Sequence, residues 1–256
     1  MTLPKVYMNE IRKITGYWGT YLPSDRLVPG MVGRLTDGIF HQERMLSEYS
    51  GYDPKLHGAA KPQPSRSPVS IWQSDDVVAV SSEVKASAPG LPASGEVRFG
   101  FKKANNAVMI CKGLRSQSFI NLGNVRSLLH DLYEAKEWDP ALCLITDVRL
   151  VKSAWICFAT GGGQEAVVNA TATIGLAMPP IDALKDAAAK GDLSTSWKAS
   201  TQAGYKTEVD EGGTPLFMAL QFKRTFPGIG PYKLSTNKGA SEYFEEPEFG
   251  NSSSLG

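Results

Sequence analysis

The chain has 256 residues, 42% hydrophobic and 21% charged, a globular composition that excludes wholesale disorder and leaves room for one large or two small domains. A formal charge of +1 provides no basic excess for a nucleic-acid backbone, so nucleic acid is not an expected partner. No apolar run approaches the ~18 residues of a helical span, and no basic segment leading into an apolar one opens the chain, so neither a membrane helix nor Sec export is expected.

Residues 4–15 place Tyr7, Ile11 and Ile14 on one face at helical spacing and Lys5, Arg12 and Lys13 on others, which predicts a short amphipathic helix stopped by Gly16. Tyr17 to Leu22 predicts a strand. Val28-Pro29-Gly30 is a turn before a strand at Met31–Leu35, and Thr36-Asp37-Gly38 carries the chemistry of a tight hairpin turn back to Ile39 and Phe40. Four prolines between 50 and 68 mark a surface connection. Val69–Trp72 and Asp76–Lys85 follow as strands, the second with Val78, Val80 and Val84 on one face and Ser81, Glu83 and Lys85 on the other. The small, polar run 86–95 predicts a loop, and Glu96–Lys103 a period-two strand aligning Val97, Phe99 and Phe101. Asn105-Asn106 turns this strand into Val108–Lys112.

Val125, Leu128, Leu129 and Leu132 define the clearest helix, with Asn124 as its expected cap and Asp139-Pro140 beyond its end. Strong β-formers then run from Leu142 to Val151, from Ala154 to Thr160 and, after Gly161-Gly162-Gly163, from Glu165 to Ile174. This stretch is long for a soluble strand pair and, with Asp147, Arg149 and Lys152, too charged for a membrane helix. A transmembrane β-strand needs only ~9–11 residues with one apolar face. Leu142, Leu144, Thr146, Val148 and Leu150 would form such a face, leaving Asp147 and Arg149 with Cys143, Ile145 and Val151 on the other. The same alternation also suits a globular sheet with one face in the core. Pro180 to Ala188 predicts a helix with Gly191 at its C-cap, and Leu193–Ser200, Tyr205–Val209 and Pro215–Phe222 predict strands. Beyond Lys223 the sequence loosens into Gly and Pro, and the closing Gly-Asn-Ser-Ser-Ser segment is expected to be disordered. Roughly ten strands and three helices, with strands adjacent in sequence, indicate an α+β fold around a twisted, mainly antiparallel sheet with peripheral helices.

Motifs for catalysis or cofactors are missing. Gly161-Gly162-Gly163 lacks the Lys-Ser/Thr of a phosphate loop, and no nucleophile elbow, His-Glu-x-x-His or calcium loop appears. Cys111, Cys143 and Cys157 are widely spaced within apolar runs, the pattern of buried structural thiols rather than a zinc site. The expectation is a non-enzyme with no cofactor and no metal. A triad assembled in space stays open as a third alternative.

Leu144-Ile145-Thr146-Asp147-Val148, followed by Val151-Lys152 and Trp155–Phe158, resembles a signature of gasdermin pore-forming domains, where a similar strand leads into a long hairpin. Two more regions match in order. Tyr205–Phe222, turning at Gly212-Gly213, is similar to the family's late strand pair, and Gly16-Tyr17, Leu22-Pro23 and Val28-Pro29-Gly30 resemble the opening of bacterial members, as does the helix from Pro180. The resemblance covers most of residues 5–225. The chain departs from the family in two ways: no Cys stands near the N-terminus for acylation, and only a short tail follows the core.

The resemblance implies a gasdermin-like pore-forming core over residues 1–232 and an acidic tail over 233–256, in which Tyr243, Phe244 and Phe249 would dock until an activating protease or regulatory partner releases them. It implies a membrane pore-forming effector in cell death or antiviral defence, cytoplasmic when inactive and at the plasma or inner membrane when active. The partners would be anionic membrane lipids and further copies of the chain. One inserting hairpin would lie in roughly 69–112. The other would lie in roughly 142–200, with Leu142, Leu144, Thr146, Val148, Leu150, Trp155 and Phe158 in contact with the bilayer. Lys5, Arg12 and Lys13, with Trp18 as an interfacial aromatic, would meet lipid headgroups. The alternatives are a soluble binding or adaptor module on the same scaffold, a merely solvated helix face and a tail without function.

Overall fold

The computed structural model describes residues 2–23, 26–84, 94–170, 179–189, 197–199, 205–222 and 244–245. Helix α1 (Leu3–Thr15) has Pro4 in its first turn and ends where Gly16, at φ +78°, donates its backbone N–H to the Arg12 carbonyl. The expected strand at 17–22 contracts to β1 (Trp18–Gly19), because the chain then turns away to tie Thr20 to Thr214 and Pro215. Strands β2 (Met31–Thr36) and β3 (Ile39–Met45) form the predicted hairpin, with Thr36 opposite Ile39 and both Asp37 and Gly38 at positive φ. Only glycine fits at 38, where a Cβ would stand 2.7 Å from the backbone N of Lys5.

The connection at 50–68 is more ordered than expected. Asp53 caps a short helix α2 (Pro54–His57), and β4 (Gln63–Pro64) pairs with β9 (Arg115–Ser118). Strands β5 (Val69–Gln73), β6 (Val77–Val84), β7 (Ser94–Phe101) and β8 (Asn106–Lys112) follow. Helix α3 (Leu122–Glu134) buries Val125, Leu128, Leu129 and Leu132 as expected. Its cap, however, is Asn121, whose Oδ1 accepts from the backbone of Gly123 and Asn124. The chain continues through β10 (Cys143–Leu150), β11 (Ser153–Ala159), β12 (Gln164–Ala170), α4 (Pro180–Ala189), β13 (Trp197–Ala199), β14 (Tyr205–Val209), β15 (Leu216–Phe222) and β16 (Phe244–Glu245). Gly191, residues 86–93, Tyr243 and Phe249 lie outside the described residues.

Among the described residues the strands form three sheets, and every strand pair is antiparallel. The first sheet runs β1-β15-β10-β2-β3, with β9, β4 and β16 off that path; the second runs β14-β11-β8-β5 and the third β13-β12-β7-β6. The architecture is α+β and mainly antiparallel, with an N-terminal helix, as the sequence predicts.

Burial sorts the sheets into layers. One face of the second sheet (Ala107, Met109, Cys111, Ala154, Ile156, Phe158) shares a core with Tyr7, Met8 and Ile11 of α1 and with Cys143, Ile145, Val148 and Phe217 of the first sheet. Its other face (Val108, Ile110, Trp155, Cys157) packs on Val97, Phe99, Phe101, Ala166 and Val168 of the third sheet and on Leu184 of α4. Helix α3 covers the far side of the first sheet through Leu128, Leu129 and Leu132 against Val32, Leu144 and Leu220. The middle sheet, covered on both faces, therefore needs continuously apolar strands instead of alternating ones.

The long apolar stretch from Leu142 is explained by this layering. Strands β10, β11 and β12 belong to the first, second and third sheets respectively, so the chain crosses all three layers in sequence.

Candidate functional site

In this fold the residues expected on the inserting face at 142–158 are divided, for two reasons. First, β10 and β11 are not paired with each other: β10 lies between β15 and β2/β9, whereas β11 lies between β14 and β8. Second, the alternation is broken by a β-bulge. Opposite β15 the register runs Ile145↔Ala219 and then Asp147↔Met218, leaving Thr146 unmatched. The extra residue exchanges the two faces of the strand. Leu142 and Leu144 pack in the α3 core, but Val148 packs in the α1 core and Leu150 packs against it. Trp155 and Phe158 likewise sit on opposite faces of β11. The expected residues thus do not share one face.

Asp147 and Arg149, expected on a water-facing wall, are instead half-buried neighbours 3.6 Å apart. Arg149 stacks over the Tyr17 ring at 4.5 Å and donates to its hydroxyl. Burial pushes the Asp147 carboxyl above its ordinary value, more than Arg149 lowers it.

The third sheet sets strands β6 and β7, adjacent in sequence, beside the antiparallel pair β12 and β13, between which α4 intervenes in sequence. β6 pairs with β7 over eight residues each, from Val77↔Phe101 to Val84↔Ser94, and β12 pairs with β13 from Ala166↔Ala199 to Val168↔Trp197. β7 and β12 join the two along Gly95–Phe101 and Gln164–Ala170. Its inner face carries Val77, Ala79, Val97, Phe99, Phe101, Ala166 and Val168. Its outer face follows from the register, with Val78, Gly100 and Glu165 in one row and Val80, Arg98, Val167 and Lys198 in the next. Val78 and Val80 are 40% and 55% exposed there. Sequence alternation does identify Val97, Phe99 and Phe101 as a face, but not that the valines at 78 and 80 point outward.

Of the expected lipid-facing group, the structure brings Arg12 and Trp18 together and turns the aromatic inward. Arg12 lies 3.9 Å over the Trp18 ring, which is 4% exposed and part of the α1 core. Trp18 is therefore not surface-available in this conformation. Lys13 is exposed and lies 3.9 Å from Glu10 and 3.7 Å from Asp75. Lys5 is half-buried at the helix start, against the Asp37-Gly38 turn.

In the tail, Phe244 pairs with Phe222 and Glu245 with Gln221, adding a short strand to β15. The sequence reading offers Phe244 as a docking residue, but not the pairing of its backbone with β15.

For an enzyme reading, the relevant feature is a hollow of about 470 Å³ between α2 and α3, lined by His57, Asn124, Ser127 and Asp131 over Leu56 and Leu128. His57 Nδ1 accepts from the Asp53 backbone at 2.9 Å, whereas Ser127 bonds to the Gly123 carbonyl. No hydrogen bond joins His57 to a serine or carboxylate among the described residues. The three cysteines are buried and form no disulfide, and Cys143 donates to the Gly33 carbonyl. Burial raises the thiols of Cys111 and Cys143, the latter to about 12, so neither is poised as a thiolate. No helix of the described residues is long and apolar enough to cross a membrane, which has no bearing on strands.

No protein-family model matches the chain, and no curated protein matches it in sequence. Among solved structures it is similar to the gasdermin A3 membrane pore at 8% identity, over 98% of this chain and 96% of that one, with a TM-score of 0.30. A superposition that loose establishes no family membership.

Proposed function

We propose that this protein is a pore-forming effector that assembles with further copies of itself and threads hairpins β6–β7 and β12–β13 through a bilayer. The observation that carries this reading is the third sheet. It consists of two antiparallel strand pairs, β6 with β7 and β12 with β13, lying side by side, apolar on one face and bearing Arg98 and Glu165 on the other. In a barrel wall the face of Phe99, Phe101 and Val168 would meet acyl chains, and the face bearing Arg98 and Glu165 would line water. Strands β6 and β7, of eight residues each, approach the ~9–11 needed to cross at a tilt. Lipid offers no hydrogen bonds to an edge strand, so insertion requires many copies closed into a ring. The collinear sequence resemblance to gasdermins supports the same reading, with a role in cell death or defence as part of the proposal. The protein would be cytoplasmic at rest and act on an anionic plasma or inner membrane.

The tail fits as a restraint. Phe244–Glu245 covers part of the outer edge of β15, an edge that ring assembly would need bare. Dye release from acidic liposomes tests the proposal, using full-length protein and protein lacking 233–256. Release by the shortened form, stronger than by the full chain, is expected. Silence from both, together with no toxicity when either is expressed, leaves the soluble binding module as the better reading.

A further inference from the structure

We propose that Glu10 of α1 and Ser74 form a latch tying the N-terminal helix to the base of hairpin β6–β7, so that lifting α1 at an anionic surface frees the hairpin. The proposal rests on the pore-forming reading and specifies how the two elements are coupled.

Ser74 stands where the chain leaves the middle sheet at Gln73 and enters the outer sheet at Val77. It is fully buried and linked on several sides. Its N–H donates to the Ala107 carbonyl at 3.0 Å, its Oγ accepts from the Ala107 N–H at 2.8 Å, and its carbonyl accepts from the Val77 N–H at 3.0 Å. Its hydroxyl proton has two acceptors in range, Glu10 Oε1 at 2.5 Å and the Ala107 carbonyl at 3.4 Å. The shorter and charged acceptor takes it. The Glu10 side chain is 15% exposed, so its carboxylate is held mainly by this hydroxyl, with Lys13 Nζ at 3.9 Å.

This arrangement joins two parts of the molecule with separate proposed tasks. The helix carries the basic residues offered to lipid, and Ser74 anchors one end of the hairpin that would insert. Lys13 lies between Glu10 and Asp75, on the turn that follows Ser74. An anionic headgroup competes for Lys13 and at the same time repels the two carboxylates, loosening the helix from the turn. Loss of the Glu10 acceptor removes the only link from the Ser74 side chain to α1 seen among the described residues.

Amide hydrogen exchange on the full chain, without membranes, tests the latch. Glu10→Ala leaves the Ser74–Ala107 bonds in place, and Ser74→Ala removes the donor. Glu10→Gln keeps an acceptor for the hydroxyl and serves as the conservative control. A hydrogen bond to a charged group implies exchange ~10–100-fold faster in peptides 77–84 and 94–101 for the two alanine variants. Glu10→Gln should stay within ~3-fold of wild type, and α3 (122–134), two layers away, should be unchanged. Unaltered hairpin exchange in both alanine variants overturns the latch, as does equal acceleration in α3, which would indicate global loosening. Dye release separates the two proposals. If the tail-deleted wild type never leaks while the exchange pattern holds, the pore reading falls and the coupling stands; leakage without the exchange pattern removes the latch alone.

Discussion

Replacing Val78 by lysine tests which face of the hairpin sheet meets lipid. Val78 is 40% exposed and lies opposite Gly100, which in turn lies opposite Glu165. Neighbouring strands are ~4.8 Å apart, so Glu165 is about 10 Å away across a glycine, within combined reach of a lysine and a glutamate side chain. In the soluble fold the new ammonium is solvated with a carboxylate to approach, and the change should lie within ~0.5 kcal/mol, or ~2 °C in Tm for a chain of this size. In the membrane the two possible orientations give very different costs. On a water-lined wall lysine costs almost nothing, whereas on the lipid face near the midplane it costs ~2–4 kcal/mol per subunit, ~30–1000-fold in insertion. The measurements are thermal unfolding, liposome binding and dye release for tail-deleted protein with and without Val78→Lys. Unchanged Tm and binding, with release within ~3-fold, are expected. Release lost by tens-fold at unchanged Tm and binding would show that Val78 faces lipid and that the assignment is inverted. Ala79→Lys, on the inner face, supplies the contrast and should abolish release.

Three other perturbations follow from the same geometry. Asp147 has a folded-state pKa above its unfolded value because of burial, so its ionisation opposes folding. Its destabilising effect is absent below the unfolded pKa of ~3.9, builds as pH rises from there to the folded value and is fully present above it. Asp147→Asn should therefore raise Tm at pH 7, with the gain vanishing on acidification, and a variant less stable at pH 7 would contradict this. Leu184 of α4 is fully buried against the hairpin sheet, so Leu184→Ala should cost ~2–5 kcal/mol in denaturant unfolding and speed dye release by the tail-deleted form. Slower release despite that loss would show that α4 is needed for insertion instead of restraining it. Reversing Lys5 and Lys13 to glutamate should weaken binding to acidic liposomes, at ~1 kcal/mol per charge removed, and unchanged binding at low salt removes α1 as the lipid contact.

The features legible in the sequence were those set by local chemistry. The Asp37-Gly38 turn fixes a two-residue hairpin through its positive φ angles, and the i, i+3, i+4, i+7 leucines of α3 define its buried face without reference to the rest of the chain. Where long-range register decides, the faces of the candidate site were not legible. Position 146 looks like one more member of an alternating row, and only its pairing with β15 shows that it is the extra residue of a bulge. Everything beyond it, Val148 and Leu150 included, then changes face. The same limit moved the second hairpin. Leu142–Ala170 reads as one overlong apolar region because its three strands lie in three layers, and the middle one, β11, is apolar on both faces for a reason unrelated to lipid. Within that region high apolar content marks the centre of the molecule. The amphipathic alternation suited to a barrel wall appears one strand later, in β12, where Ala166 and Val168 point inward and Glu165 is exposed. Strands β6, β7 and β12 repeat that pattern on one outer sheet with antiparallel neighbours; in the proposed insertion its departure would open the core it shares with β8, β11 and α4 and spare the cores around α1 and α3.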